Sequence, residues 1–139
     1  MRSVFGRAVD VAPVRIRRRR WFVLQPPGVV MAPCGHIHFH PRAPHYCDDF
    51  SDASLPLQGL FIHEMTHVWQ AQRNGRFWLL WRRHPFSRYA YSLVPDRPLA
   101  RYGVEQQAEI VRHAFLLRNG ARVAGVADAG AYEALVDFT

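Results

Sequence analysis

The string His63-Glu64-Met65-Thr66-His67 is the feature that most restricts what this chain can fold into. It matches the pattern H-E-x-x-H, in which two histidines one helical turn apart can bind a single zinc ion and the glutamate acts on a water molecule. In a chain of this composition the pattern arises by chance in roughly one sequence per hundred. We therefore expect His63 and His67 to be metal ligands and Glu64 to be a catalytic base, provided that the surrounding sequence supports a helix.

The residues around this string predict a helix over about 55–73. Ser54 or Asp52 can cap its start, and Pro56 falls in the first turn, where proline is tolerated. Asn74-Gly75 supplies a left-handed end. Apolar side chains recur at helical spacing between these signals, and they are Leu57, Leu60, Phe61, Met65, Val68 and Trp69. The two histidines then share one face of the helix, in a mostly apolar wall.

A second helix, predicted over 103–119, offers the third ligand. A catalytic zinc site uses three protein ligands and leaves the fourth position to water. Glu105 and Glu109 are four residues apart, and side chains at this spacing share one helix face. We expect Glu105 to be the ligand and Glu109 to accept the free N–H of a ligating histidine, which fixes its tautomer. The reverse assignment stays open at this point.

Hydrolysis of a peptide bond also requires a donor for the developing oxyanion. Tyr89, Tyr91 and Tyr102 are candidates for this role or for contact with substrate, and so is His84. Tyrosines are more often aromatic residues of a core or a rim, by about three to one. Their role therefore depends on where the fold places each hydroxyl.

The first half of the chain predicts a small antiparallel sheet. Residues 14–17 alternate apolar and basic side chains, as a half-buried strand does. Residues 29–31 and 37–39 flank Pro33-Cys34-Gly35, which indicates a hairpin. The expected fold is α+β, with this sheet packed on the H-E-x-x-H helix and on the ligand-bearing helix.

Three histidines, His36, His38 and His40, alternate with apolar residues and so project from one side of a strand. The H-x-H spacing suits zinc or copper, which makes a second metal site one interpretation. The alternative is a polar side that faces solvent or a cleft while the other side packs on the core. The pattern favours this alternative by about three to one.

The length and composition are those of one globular domain, taken as residues 1–139, with a last helix expected from a cap at Asp128 through Leu135. Hydrophobic residues make up 49% and charged residues 21%, and the apolar runs are too short to span a bilayer. No signal peptide is visible at the N-terminus. We therefore expect cytoplasmic synthesis, with export by a secretion system left open.

The net charge is +7, from 18 basic residues, all of them arginine, and 11 acidic residues. The run Arg17–Arg20 is most simply a solvated face, and a docking patch for an acidic polymer or partner is the alternative. The chain shows no nucleic-acid-binding pattern, so no nucleic-acid partner is expected. Cys34 and Cys47 do not form a disulfide framework or a structural zinc motif, and we expect two free, partly buried thiols.

The two metal motifs resemble those of the gluzincin class of metallopeptidases. In that class a downstream helix carries the third ligand, and an acidic residue four positions further on supports a histidine. Here 37 residues separate His67 from the Glu105-x-x-x-Glu109 segment. Thermolysin-like enzymes and membrane CAAX-type peptidases share this layout, although the latter cross the membrane several times. The resemblance implies a zinc ion, with Glu64 as the base.

Three longer strings are similar to those of small bacterial proteins described as Vgr-related or Rhs-type. These proteins are associated with contractile injection or type VI secretion, and the strings also resemble a metallopeptidase domain of extracellular contractile injection systems. The resemblance covers about residues 10–119, in the strings Asp48-Asp49-Phe50-Ser51, Gly59-Leu60-Phe61-Ile62-His63-Glu64-Met65-Thr66-His67-Val68-Trp69-Gln70 and Tyr102-Gly103-Val104-Glu105-Gln106-Gln107-Ala108-Glu109-Ile110.

Together the residues and the resemblance lead to a zinc metallopeptidase that hydrolyses amide bonds in a protein or peptide. Components of a secretion machine are further expected partners. The alternative function is a non-catalytic module of a secretion assembly that keeps zinc for folding or docking.

Overall fold

The computed structural model describes residues 1–82, 89–126 and 129–138 as a mostly helical α+β arrangement. Its helices are α1 (Arg2–Phe5), α2 (Leu55–Asn74), α3 (Trp78–Arg82), α4 (Val104–Arg118) and α5 (Ala129–Leu135), and a 3-10 turn at Leu99–Arg101 precedes α4. Its strands are β1 (Ile16–Arg17) and β2 (Ile37–His38). The expected cap at Asp128 and the candidate His84 lie outside the described residues. No helix in the described ranges combines the length and apolar character needed to cross a membrane.

Helix α2 begins and ends close to the predicted residues. Ser54 is its N-cap, and the Ser54 carbonyl, rather than its hydroxyl, accepts bonds from the backbone N–H groups of Leu57 and Gln58. Gly75 follows the last turn with a φ of 102°, a conformation that glycine adopts without strain. Both ends of α2 depend on residues adjacent in the sequence, and for this reason the sequence alone predicted them.

Among the described residues, α2 packs most extensively against α4. Val68 on α2 and Ile110 and Val111 on α4 are fully buried in the shared core. At Gly59 the helices approach so closely that a Cβ atom would lie 3.0 Å from Cδ2 of Leu116. Since both metal motifs lie on these two helices, the apolar packing places the histidines of α2 opposite the carboxylates of α4.

The sheet differs from the predicted one in the direction of its strands. β1 and β2 pair in parallel, with Ile16 beside Ile37 and Arg17 beside His38, so the expectation of an antiparallel sheet was wrong. Parallel neighbours require a crossover connection, and residues 18–36 form it without a helix of their own. The alternation of apolar and polar residues along a segment indicates an extended strand, but it does not indicate whether the partner strand runs parallel or antiparallel.

The predicted hairpin is reduced to one antiparallel bridge between Met31 and His38. The backbone N–H of His38 donates to Met31 and the N–H of Met31 donates back, at 2.7 Å and 3.1 Å. On its other edge β2 is bonded to β1, through Ile37 and Phe39 as donors. β2 is therefore the central strand, with an antiparallel partner on one side and a parallel partner on the other.

Both sides of β2 are covered, so of the three histidines expected to face solvent or a cleft, His38 and His40 do not face solvent and His36 is half-buried. His38 and His40 are 7% and 1% exposed, while Ile37 and Phe39 on the opposite side are fully buried. Among the described residues, the group of side chains able to hold a metal does not include these histidines. Cys34 and Cys47 are free and partly buried, as predicted.

Candidate metal centre

His63 and His67 on α2 and Glu105 on α4 meet in the interior of the protein. Oε2 of Glu105 lies 3.3 Å from Nε2 of His63 and 3.2 Å from Nε2 of His67. One ligand atom from each residue lies within 4.8 Å of the other two. The residues are 4%, 0% and 1% exposed, so three metal-ligating atoms converge in a site that excludes most water.

A chain of amide groups determines the tautomer of His67. The Nε2 group of Gln107 donates to the carbonyl of Tyr102 at 2.8 Å, which leaves Oε1 of Gln107 to accept from Nε2 of Gln70 at 2.9 Å. The same Nε2 of Gln70 also donates to the Val104 carbonyl at 3.0 Å. Oε1 of Gln70 must therefore face Nδ1 of His67, at 2.9 Å, as an acceptor. It follows that His67 carries its proton on Nδ1.

With Nδ1 protonated, it is Nε2 of His67 that faces the Glu105 carboxylate, 3.2 Å away. A neutral imidazole lone pair and a carboxylate oxygen repel one another unless a proton or a cation lies between them. In metal-binding histidines the second nitrogen characteristically donates to a fixed acceptor, as Nδ1 does here. The residues present therefore fit a metal ion held by the two imidazoles and the carboxylate.

His63 lies between two carboxylates. Its Nε2 faces Glu105, while its Nδ1 lies 2.8 Å from Oε1 of Glu109. Burial lowers the pKa of His63, but the contacts with Glu105 and Glu109 outweigh it and raise this pKa to about 9. Burial by itself would raise the pKa of Glu109, but the contact with His63 outweighs burial and lowers this pKa. The two carboxylates thus favour a positive charge at His63.

Glu109 links the centre to a second group of polar side chains. Its carboxylate lies 3.2 Å from Nη1 of Arg112 and 3.3 Å from Nε2 of His113. The other ring nitrogen of His113 is hydrogen-bonded to the hydroxyl of Tyr91, and that hydroxyl also bonds the hydroxyl of Tyr132 at 2.8 Å. This network restrains the carboxylate that contacts His63.

The three candidate tyrosines lie in different surroundings. Tyr89 is 51% exposed, and its ring is stacked on that of His63 with centroids 6.2 Å apart. Tyr91 is half-buried, with its hydroxyl in the network just described. Tyr102 is buried, and its hydroxyl accepts the backbone N–H of Val94 at 2.9 Å. Of the three, Tyr89 combines exposure with contact to a histidine of the centre.

A cavity of about 640 Å³ adjoins the centre on the side of Glu109. Its apolar wall comes from residues of the segment before α4 and from the segment around α5. The polar side chains at its border include Ser92, Glu109 and His113. The residues that matter for its shape are Tyr89, Tyr91, Leu93, Val126 and Tyr132.

Sequence reasoning missed the polar residues that support the centre, namely Gln70, Gln107 and His113. Gln70 is three residues after His67, so helical spacing places both on one face. Its side-chain amide is fully buried, however, and it finds its hydrogen-bond acceptors only in the folded protein, at Val104 and Gln107 of α4. His113 is likewise four residues after Glu109 on α4, a spacing that could have suggested the contact.

We expect Gln70→Leu to lower both the stability of the protein and its affinity for metal. Leucine leaves the acceptors of Val104 and Gln107 without their donor in a buried place, which costs about 1–3 kcal/mol. Loss of the acceptor at Nδ1 of His67 should weaken metal binding by about 10–100-fold. Urea unfolding of the metal-free protein and a competitive metal titration measure the two effects.

Gln58→Leu is the matched control on the same helix. Gln58 also donates two side-chain bonds, to the carbonyls of Ser51 and Ala53, but in the first turn of α2, nine residues before His67. We expect it to change stability without changing metal affinity. Unaltered metal affinity in Gln70→Leu would contradict the role assigned to Gln70.

Comparison with known proteins finds similarity to one effector domain of solved structure. The solved effector domain of VgrG2b from Pseudomonas aeruginosa superposes with a TM-score of 0.77 and is 39% identical, over 97% of this chain and 76% of that one. The chain belongs to the family of the VgrG2b effector domain. Scanned against models of protein families, the sequence matches none.

A full-length relative is the type VI secretion system spike protein VgrG2b of Pseudomonas aeruginosa. It is 42% identical over 124 residues, which represent 85% of this chain and 12% of the spike protein. The chain thus spans about an eighth of the length of that relative. The similarity confirms the expected relationship to Vgr proteins of secretion systems.

Proposed function

We propose that the chain is a zinc-dependent metallopeptidase domain that hydrolyses peptide bonds in a protein or peptide. The observation that carries this proposal is the buried convergence of His63, His67 and Glu105. In a four-coordinate zinc site with bonds of about 2.0–2.1 Å, neighbouring ligand atoms lie roughly 3.3 Å apart. The separations of 3.2 Å and 3.3 Å between Glu105 and the two imidazoles support this choice of metal.

Each residue of the centre has a role in this proposal. Zinc, when bound, supplies Lewis acidity toward a water molecule and the substrate carbonyl. Glu64, between the two histidines and 3% exposed, accepts the proton of the attacking water and passes it to the leaving amine. Glu109 holds His63, since its carboxylate lies at Nδ1 of that ring. Tyr89 is the proposed donor to the oxyanion or contact for the substrate.

The cavity beside Glu109 supports a peptide as substrate. Its volume of about 640 Å³ is ample for a large side chain, and its wall is mainly aromatic and aliphatic. Pockets of this kind bind through apolar contact and use a few polar groups for orientation. Because Tyr89 and Tyr91 lie in its wall and Tyr89 is stacked on His63, a side chain in the cavity would hold the adjoining peptide bond close to the centre.

The relationship to a spike protein supports a role in secretion. Since the solved relative is an effector domain of VgrG2b, we infer that this chain is likewise an effector that leaves the cell in which it is made. Components of the secretion machine are then its partners before delivery, and a protein or peptide is its substrate afterwards.

Metal analysis combined with a cleavage assay tests the proposal. We expect the purified protein to hold one zinc per chain and to cleave a broad peptide library, with products identified by mass spectrometry. A chelator should abolish cleavage, and returned zinc should restore it. Zinc-loaded, folded protein that cleaves neither the library nor unfolded proteins would contradict the peptidase function and favour the non-catalytic zinc module.

A further inference from the structure

Residues 15–24 comprise β1 and the loop that follows it; they are here called the arginine–apolar loop and are exposed without interruption. Five arginines occupy its first six positions, and the sequence Trp21-Phe22-Val23-Leu24 ends it. Val23 and Leu24 are 79% and 81% exposed, and Trp21 and Phe22 are 39% and 41% exposed. Single exposed apolar residues are ordinary, but four in succession beside a basic run mark an interaction surface.

A buried glutamine holds this loop in place. Gln25 is 2% exposed, and its Nε2 group donates to the carbonyls of Val29 and His38 at 2.8 Å and 3.1 Å. Its Oε1 accepts the backbone N–H of Trp21 at 2.8 Å, and its own N–H donates to the Phe22 carbonyl at 3.1 Å. The turn is therefore anchored to β2, and the fold itself holds Val23 and Leu24 out in water.

The charge around the loop is positive and has no local compensation in the sequence. Between Asp10 and Asp48 the chain contains no aspartate or glutamate, while it contains six arginines. Three arginines of the loop donate to backbone carbonyls: Arg15 to Ala12 and Val14 at 2.8 Å and 3.1 Å, and Arg18 to Pro41 and Arg20 to Val23, both at 3.1 Å. Arg17 and Arg19 are exposed, and they carry charge next to the apolar tip.

We propose that the arginine–apolar loop docks the protein on the surface of an anionic lipid bilayer. The tip residues Val23 and Leu24 enter the boundary between headgroups and acyl chains, with Trp21 and Phe22 at headgroup level. The arginines bind the lipid phosphates. An acidic protein partner would satisfy the arginines, but it would leave two highly exposed aliphatic side chains at the tip of an anchored turn unexplained.

Vesicle sedimentation tests this docking with the whole chain. We expect the protein to bind vesicles of phosphatidylglycerol and phosphatidylcholine in equal parts, and to bind pure phosphatidylcholine at least tenfold more weakly. The double variant Arg17→Gln/Arg19→Gln should lower binding by about 10–25-fold, because each arginine near an anionic surface contributes about a fivefold factor. Val23→Ser/Leu24→Ser should lower it by about tenfold or more, because apolar burial is lost.

The matched control removes the same kinds of side chain elsewhere. Val94→Ser/Arg101→Gln changes an exposed valine and an exposed arginine in the segment before α4 and should leave vesicle binding unchanged. Glu64→Gln should also bind vesicles like the wild type. The test of docking is therefore independent of the test of peptidase function. Circular dichroism and thermal unfolding verify that every variant is folded.

Fluorescence quenching is a second measurement, and it uses only the wild type and one conservative variant. Brominated acyl chains should quench part of the tryptophan fluorescence of the wild type, and Trp21→Phe should lose that part. Absence of wild-type binding to anionic vesicles would overturn the proposal, as would binding that neither double variant weakens. Binding lost in the arginine variant but retained in Val23→Ser/Leu24→Ser would overturn insertion and indicate purely electrostatic attraction, as to an acidic protein.

Discussion

Replacement of Glu64 by glutamine is expected to lower the rate of peptide cleavage by about 10²–10⁴-fold. Glutamine has nearly the same size and keeps polar atoms in a position that is 3% exposed, but it cannot take up a proton at neutral pH. Since Glu64 is not among the three converging ligand residues, the zinc content should stay at the wild-type value. Initial rates on a cleaved peptide, together with metal analysis of the same samples, measure both quantities.

The control for this variant is Glu133→Gln on α5. This variant loses the same charge as Glu64→Gln. The Glu133 side chain, however, is 55% exposed and lies 3.6 Å from Arg118 at the surface. Its cleavage rate and zinc content should equal those of the wild type. Wild-type cleavage by zinc-loaded Glu64→Gln would exclude Glu64 as the base, and loss of zinc in that variant would show that it supports the metal instead.

Removal of the Glu105 carboxylate is expected to have the largest effect on metal binding. Glu105→Ala deletes the group that faces Nε2 of both His63 and His67, at 3.3 Å and 3.2 Å. It should reduce zinc binding below detection in a competition with a chromogenic chelator. Zinc at 1,000 times its dissociation constant stabilises a folded protein by about 4 kcal/mol, so thermal unfolding of Glu105→Ala should no longer respond to added zinc.

Glu109→Ala serves as the comparison on the same helix. Its carboxylate contacts His63 from the Nδ1 side, away from the nitrogen that faces Glu105. Loss of such an outer partner weakens metal affinity by about 10–100-fold rather than abolishing it. Zinc that is retained in Glu105→Ala but lost in Glu109→Ala would reverse the proposed order of the two carboxylates.

The helices were predictable because their signals are local. The apolar repeat and the Asn74-Gly75 end of α2 depend on neighbours along the chain, and the helix runs over Leu55–Asn74. The same is true of α4, where helical spacing alone puts Glu105 and Glu109 on one face. A pair of histidines and a pair of carboxylates on two helices was thus visible without knowledge of the fold.

The sheet was not predictable to the same degree, because strand direction depends on distant partners. Apolar and basic alternation in residues 14–17 is compatible with either direction. The parallel pairing of Ile16 with Ile37 follows from the crossover over residues 18–36, which Gln25 anchors through its bonds to Val29 and His38. Nothing in the local pattern of these segments encodes that connection.

The sequence by itself determined which residues can bind a metal and that they lie on helices, because ligand chemistry and helical periodicity are properties of short strings. Only the tertiary structure decided how these groups meet. Packing of α2 on α4 at Gly59 brings Glu105 between His63 and His67, and it places Gln107 where Gln70 can hold the tautomer of His67. These are contacts between residues more than 30 positions apart, and close packing of side chains, rather than local propensity, selects them.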